Sequence, residues 1–113
     1  MNHLTWSKTE KLVAKTAFEK AYRKECEATL EKLKGNVASV KEPDDLWQVL
    51  DFLRKKLNEI ERKYDYRYSV LIFVFATLLK EGWLQETDLK GLNVDKLQKI
   101  GFLTNPERFR DST

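Results

Sequence analysis

Glycine, proline, cysteine and histidine are all scarce in this chain: four, two, one and one among 113 residues. So few turn-formers exclude the many tight corners of a β sandwich or barrel and favour helices. A single Cys26 excludes an internal disulfide, and with no signal-like apolar segment at the polar N-terminus it suits a cytoplasmic protein. His3, close to that terminus, gives a metal site or a histidine-based acid catalyst nothing to recruit. Cys26 has no histidine partner in its vicinity and reads as a small hydrophobe on a helix face. There is no glycine-rich phosphate loop, and Asp44 with Asp45 reads better as a helix start than as an acid and base pair. No catalytic residue, no metal and no cofactor are therefore expected: the chain reads as a non-enzyme.

Long apolar runs are missing too. The most apolar stretch, residues 70–79, is about half of the roughly 20 residues that cross a bilayer, so it must be covered by protein and not by lipid. Nor is there a block of charge of one sign. The 21 basic and 18 acidic residues interleave, leaving a net charge of +3. Arg54, Lys55 and Lys56 form the densest basic triplet, but Glu59, Glu61 and Asp65 follow, as on a solvated helix face. Neither a membrane nor nucleic acid is the expected partner.

What is present is helical periodicity. Ser7 and Glu10 have the S-x-x-E spacing of a capping box, which starts a first helix, 7–34. Along it Phe18, Tyr22, Cys26, Thr29 and Leu33 form a stripe of larger side chains, while Ala14, Ala17, Ala21 and Ala28 form a small-residue stripe beside it. Gly35, Asn36 and Pro43 bracket a connection, and Pro43, Asp44 and Asp45 signal a second start. From there Leu46, Leu50, Leu53, Leu57, Ile60, Tyr64, Arg67, Leu71, Val74 and Leu78 recur at alternating steps of four and three. That heptad seam runs with one polar interruption, Arg67, to a glycine cap at Gly82. The spacing predicts one unbroken second helix, 44–81, roughly 55 Å long, with residues 70–79 as its last third. Short helices follow over 84–103, starting near Thr87 or Asp88 and at Asn93, and a frayed tail, 104–113, follows them with one helical turn at Asn105 and Pro106.

The expected architecture is all-α in a single domain: long antiparallel helices with a small C-terminal helical cap. A leucine seam of that length asks for a second copy, so a homodimer paired through Leu46, Leu50, Leu53 and Leu57 is expected. Beside the seam, Trp47 and Asp51 sit one helical turn apart, with Arg54 within reach of Asp51. Trp and Arg are enriched at binding hot spots.

The stretches "DDLWQVLDFL", "KYDYRYSVLIFVFATLLKEG" and "DKLQKI", in that order and spacing across residues 44–100, resemble the fluorescence recovery protein family of cyanobacteria. The resemblance implies a small helical dimer, without a cofactor, that binds the C-terminal domain of photoactivated orange carotenoid protein. Such a protein hastens the return to the orange resting form and so ends phycobilisome quenching. Carried over residue by residue, the family's Trp and Asp match Trp47 and Asp51, its partner-contacting Phe and Lys match Phe73 and Lys99, and its dimer leucine matches Leu46. The motif's His and Arg positions are Leu50 and Leu57 here. Both fall on the seam, where leucine favours helix pairing and leaves the polar recognition to Asp51 and its neighbours. Two alternatives remain: a related helical dimer with another target, and a weak nucleic-acid binder using Arg54, Lys55, Lys56 and Arg62, whose affinity would fall steeply with salt.

Overall fold

The computed structural model describes residues 4–107. Among the described residues there are four α-helices, α1 (Lys8–Ala38), α2 (Pro43–Lys63), α3 (Leu71–Glu81) and α4 (Val94–Thr104), with a 3-10 turn at Glu86–Leu89. The all-α expectation is met. No helix among the described residues is long and apolar enough to cross a membrane. His3 and residues 108–113 of the tail lie outside the described residues, while Pro106 and Glu107 are helical.

α1 opens with the capping box read from the sequence: the Glu10 amide donates to Ser7 Oγ (3.1 Å) and the Ser7 amide to Glu10 Oε1 (3.0 Å). It runs four residues past the expected end, because Gly35 costs a helix only about 1 kcal/mol relative to alanine and the backbone turns only at Ser39. α2 returns antiparallel to α1. Lys32 lies over the Phe52 ring near one end of the pair, and Glu25 meets Lys56 and Lys63 near the other. Asp45 caps the start of α2 by accepting from the Lys41 and Glu42 amides, both at 3.1 Å.

The unbroken second helix, 44–81, is corrected by the structure. The helical path stops at Lys63, passes through residues 64–67 without regular structure, and re-enters α3 by a turn closed from the Val70 amide to the Arg67 carbonyl (2.9 Å). No glycine or proline breaks it; tertiary contact does. On a continuous helix Tyr64 and Tyr66 would point about 200° apart. Here Tyr64 and Tyr66 meet Phe18 edge-on at 5.4 and 4.8 Å, Tyr64 also meets Tyr22 at 5.3 Å, and Tyr68 joins Tyr66 (5.7 Å) and Trp6 (5.6 Å). Edge-to-face pairs contribute about 0.5–1.5 kcal/mol each beyond the area they bury, enough together to offset a lost turn of helix. Arg67, expected on the seam, instead pairs with Asp65 at the surface (Nε to Oδ1, 2.8 Å).

The break divides the molecule. α3, folded back, packs on α4 and on the N-terminal half of α1, and the core sits there: Trp6, Ala14, Ala17, Ala21, Leu71, Ile72, Val74, Phe75, Ala76, Leu78, Leu84, Leu89, Leu92 and Ile100. Leu71, Val74 and Leu78, which continue the heptad spacing beyond the expected dimer leucines, are thus buried within the chain. On α1 the alanine stripe faces this core, with the 3-10 turn packed close against the helix, whereas Tyr22 stays 46% exposed. Gly82 (φ 85) ends α3 in the left-handed conformation, as its position predicts. Gly91 (φ 113) allows the chain to pass α1: a Cβ there would lie 2.8 Å from Val13 Cγ2.

Candidate interaction surface

Two buried ion clusters fix α1 relative to everything else. At its N-terminal end Glu10 and Lys96, both about 1% exposed, form a pair: Lys96 Nζ donates to Glu10 Oε1 (3.1 Å) and to the Thr5 carbonyl (2.7 Å), and lies 5.0 Å over the Trp6 ring. Burial alone would raise the Glu10 carboxyl. Hydrogen bonds from the Ser7 and Asn93 amides and from Lys96 outweigh it and bring the pKa to about 2. Midway along α1, Glu25 accepts from Lys56 (2.8 Å), Lys63 (2.7 Å) and Tyr64 (2.8 Å). Burial raises its pKa too, and those three donors again win and lower it. Burial and the Glu25 carboxylate together push the Tyr64 phenol well above the usual tyrosine range. Lys63 also reaches Glu81 (2.6 Å), which accepts from Trp83 Nε1 (3.1 Å), so the end of α3 is tied to the end of α2. Sequence reasoning singled out Glu10 only as the capping partner of Ser7, and did not single out Glu25 or Lys96. Charged residues on the buried stripe of α1, four before Ala14 and four after Ala21, were the available signal.

With α1 held, α2 presents most of its surface outward: Ile60 is its one buried residue. Leu46 (50%), Leu50 (40%), Leu53 (36%) and Leu57 (58%) are exposed along one face. On α1, Tyr22, Leu30 and Val37 are also exposed, with Cys26 and Leu33 half-buried between them. These two stripes share one side of the hairpin. On its other side Ala28 and Lys32 of α1 and Phe52, Lys55 and Glu59 of α2 line a common depression. Leu30 is two residues from both Ala28 and Lys32, and Leu57 two residues from both Lys55 and Glu59. Each is therefore about 200° around its helix from that depression. The uncovered apolar face is two helices wide.

Trp47 and Asp51 lie on α2 away from the leucine face. Trp47 is 60% exposed. Asp51 pairs with Lys55 (3.2 Å), one turn on, and not with Arg54; both side chains are open to solvent, so the pair contributes about 0–1 kcal/mol. Continuing at helical steps, Lys55 and Arg62 reach a groove of about 470 Å³ between α2 and α3, which is also lined by Glu59, Lys63, Asp65, Val70, Phe73, Val74 and Thr77. Phe73 is 59% exposed there, the most open of the α3 apolar residues. The fold thus brings Trp47, Asp51 and Phe73 onto one edge, with Lys55 and Arg62 linking them. Lys99 is exposed on α4 and does not line that groove. Lys55 was legible as the residue four after Asp51. The groove was not, because it exists only once α3 folds back.

Among the described residues no group of three or more His, Cys, Asp or Glu side chains could hold a metal ion. α2 thus presents two separate exposed faces, one of leucines and one of aromatic and charged side chains.

Residues 6–104 match the family model described as photoprotection regulator fluorescence recovery protein. The chain is 45% identical over 95 residues to the fluorescence recovery protein of Synechocystis sp. (strain ATCC 27184 / PCC 6803 / Kazusa), covering 84% of this chain and 87% of that one. Its fold is similar to the solved fluorescence recovery protein of Fremyella diplosiphon (TM-score 0.84, 50% identity, 88% of this chain and 98% of that one). It is equally similar to the solved Synechocystis sp PCC 6803 structure (TM-score 0.83, 44% identity, 88% and 97%). With the family model spanning nearly the whole helical fold, and relatives this close in sequence and in backbone, the chain belongs to the photoprotection regulator fluorescence recovery protein family.

Proposed function

We propose that this protein is a non-enzymatic, cytoplasmic regulator that works as a homodimer and binds orange carotenoid protein, speeding its return from the photoactivated to the resting form. The observation that carries this reading is the two-faced α2. One face holds the leucines Leu46, Leu50, Leu53 and Leu57, uncovered within the chain; the other holds Trp47 and Asp51 and leads to Phe73. The leucine face joins the α1 stripe into an apolar surface suited to a second copy. A radius of gyration of 17.5 Å, against about 13 Å for a compact chain of this length, supports the same reading: the α1–α2 hairpin extends beyond the core that would fold it in. The Trp47, Asp51 and Phe73 edge then remains free for the partner, with Lys99 as an additional contact on α4. The partner's activated state is metastable, so binding that favours the geometry of re-docking accelerates reversion without any energy source.

The test is to mix the protein with photoconverted orange carotenoid protein in the dark and time the colour reversion. A rate that rises with protein concentration and is reduced in Trp47→Ala supports the reading; an unchanged rate at excess protein removes it. A second reading has an observation of its own. The family's His and Arg positions are Leu50 and Leu57, which suits a dimer of this family with a different target. If the unmodified chain is inactive and the double substitution Leu50→His with Leu57→Arg confers activity, that second reading stands.

A further inference from the structure

The depression on the far side of the α1–α2 hairpin from the leucines has features that its place in the fold does not explain. It encloses about 380 Å³ between Phe52 and Trp83, with Lys32, Lys55, Lys56 and Glu59 around it, within the size range of specific ligand sites. Its aromatic floor joins three elements: Phe52 from α2, Trp83 from the cap of α3, and Ala28 and Thr29 from α1. Trp83 is held in place by its Nε1 donating to Glu81 (3.1 Å). Lys55 is occupied by Asp51 and Lys56 by Glu25 and Glu59. Lys32 is different: exposed, it leans over the Phe52 ring at 5.5 Å, the position of a cation available to an incoming carboxylate.

The Phe73 groove repeats this composition. There the exposed Phe73 ring lines a groove with Arg62, also exposed, as half-buried Phe52 lies beside exposed Lys32. The two depressions share Lys55 and Glu59 as a common wall, so they are adjoining halves of one surface. Lys55 is two residues from both Leu53 and Leu57, about 200° away around α2, so pairing through the leucines leaves both halves open.

We infer that the Phe52–Trp83 pocket with Lys32 at its rim is a second anchoring site for the protein partner, taking an apolar side chain flanked by a carboxylate. It adjoins the site around Phe73 and rests on the reading of that site as the partner-binding edge. An apolar group seated between Phe52 and Trp83 displaces water from both rings, and an adjacent carboxylate reaches Lys32 at the edge of a poorly hydrated surface, where such a pair is stronger than in open water. A site with two such anchors, set by one rigid hairpin, fixes the partner's orientation as well as its position.

The experiment compares affinities of the full chain for photoconverted orange carotenoid protein by isothermal titration, using Lys32→Glu, Phe52→Ala and, as a charge-matched control, Lys34→Glu, which lies two residues from Lys32 and so faces away from the pocket. Expected are a loss of about tenfold or more for Lys32→Glu, larger at low salt, and a comparable loss for Phe52→Ala, with Lys34→Glu close to the unmodified protein. Lys32 is exposed, so Lys32→Glu folds even if Phe52→Ala does not. Equal affinity for the unmodified protein and Lys32→Glu overturns the pocket and leaves the Phe73 edge standing. No binding by the unmodified protein overturns the partner reading and the pocket with it.

Discussion

The two halves of α1 are packed in different ways. Its N-terminal half buries Ala14, Ala17 and Ala21 almost completely in the core, whereas beyond Glu25 no α1 residue is buried, although α2 runs alongside. The first half belongs to a core that the chain closes by itself. The second belongs to a hairpin held by the Glu25 cluster, one buried isoleucine and the edges of its apolar stripes. A helix pair so sparingly buried adds little stability of its own, and its exposed leucines are what a partner surface would cover. The buried core and the uncovered apolar surface thus lie at opposite ends of one helix, with Glu25 at the junction.

Three measurements would break or sharpen that division. The largest effect on stability is expected from Phe75→Ala, which empties a fully buried site in the core: about 3–5 kcal/mol lost in urea denaturation. Because α1 runs through both halves, far-UV circular dichroism should show the hairpin melting with the core in one transition. A second transition, with the α1–α2 hairpin surviving, would mean that the hairpin is stable alone.

A smaller effect is expected from acid. The Glu10 pKa falls from 4.5 to about 2 on folding and that of Glu25 is also lowered. A depressed carboxylate contributes its full stabilisation above its unfolded value and loses it as pH falls through the folded one. The protein should therefore weaken progressively from about pH 4.5 towards pH 2. Glu10→Gln should cost roughly 1–3 kcal/mol at neutral pH, by leaving Lys96 without its charge partner, and should flatten that acid limb. An acid limb of unchanged slope in Glu10→Gln would show that the Glu10–Lys96 pair does not carry it.

The smallest effect on the chain's own stability, and the largest on assembly, is expected from Leu46→Glu. Light scattering should give half the mass of the parent dimer, while the stability of the dilute chain changes by less than about 0.5 kcal/mol, as for an exposed site. An unaltered dimer would place the contact elsewhere on the molecule.

Much of this was readable in the residues themselves. The capping box at Ser7 and Glu10, the helix start at Pro43, the glycine cap at Gly82 and the leucine spacing from Leu46 to Leu57 are local or periodic signals, and each appears where it was expected. Trp47, Asp51 and Phe73, expected as partner contacts, are placed by the fold along one edge of α2 and α3. That placement leaves their role as partner contacts to be tested by the reversion assay. Lys99 does not line the groove beside Phe73. The error lay at residues 64–70. Heptad phase carries through them and no breaker residue intervenes, so a periodicity argument sees one helix. The alternation of Tyr64, Asp65, Tyr66, Arg67 and Tyr68 was the contrary signal, and its weight depends on Phe18, Tyr22 and Trp6 being present on the other side.

By itself, then, the sequence determined the helical class, the starts of α1, α2 and α4, the end of α3 and the apolar edge of α2, because capping and periodicity act over a few residues and need no distant partner. Only the tertiary structure decided where the second helix stops, and that Leu71, Val74 and Leu78 line a core separate from the α2 leucines. It alone buried Glu10, Glu25 and Lys96 in pairs. A turn of helix can be given up when aromatic and ionic contacts from a segment forty residues away replace it, and that exchange is written in no single stretch of the chain.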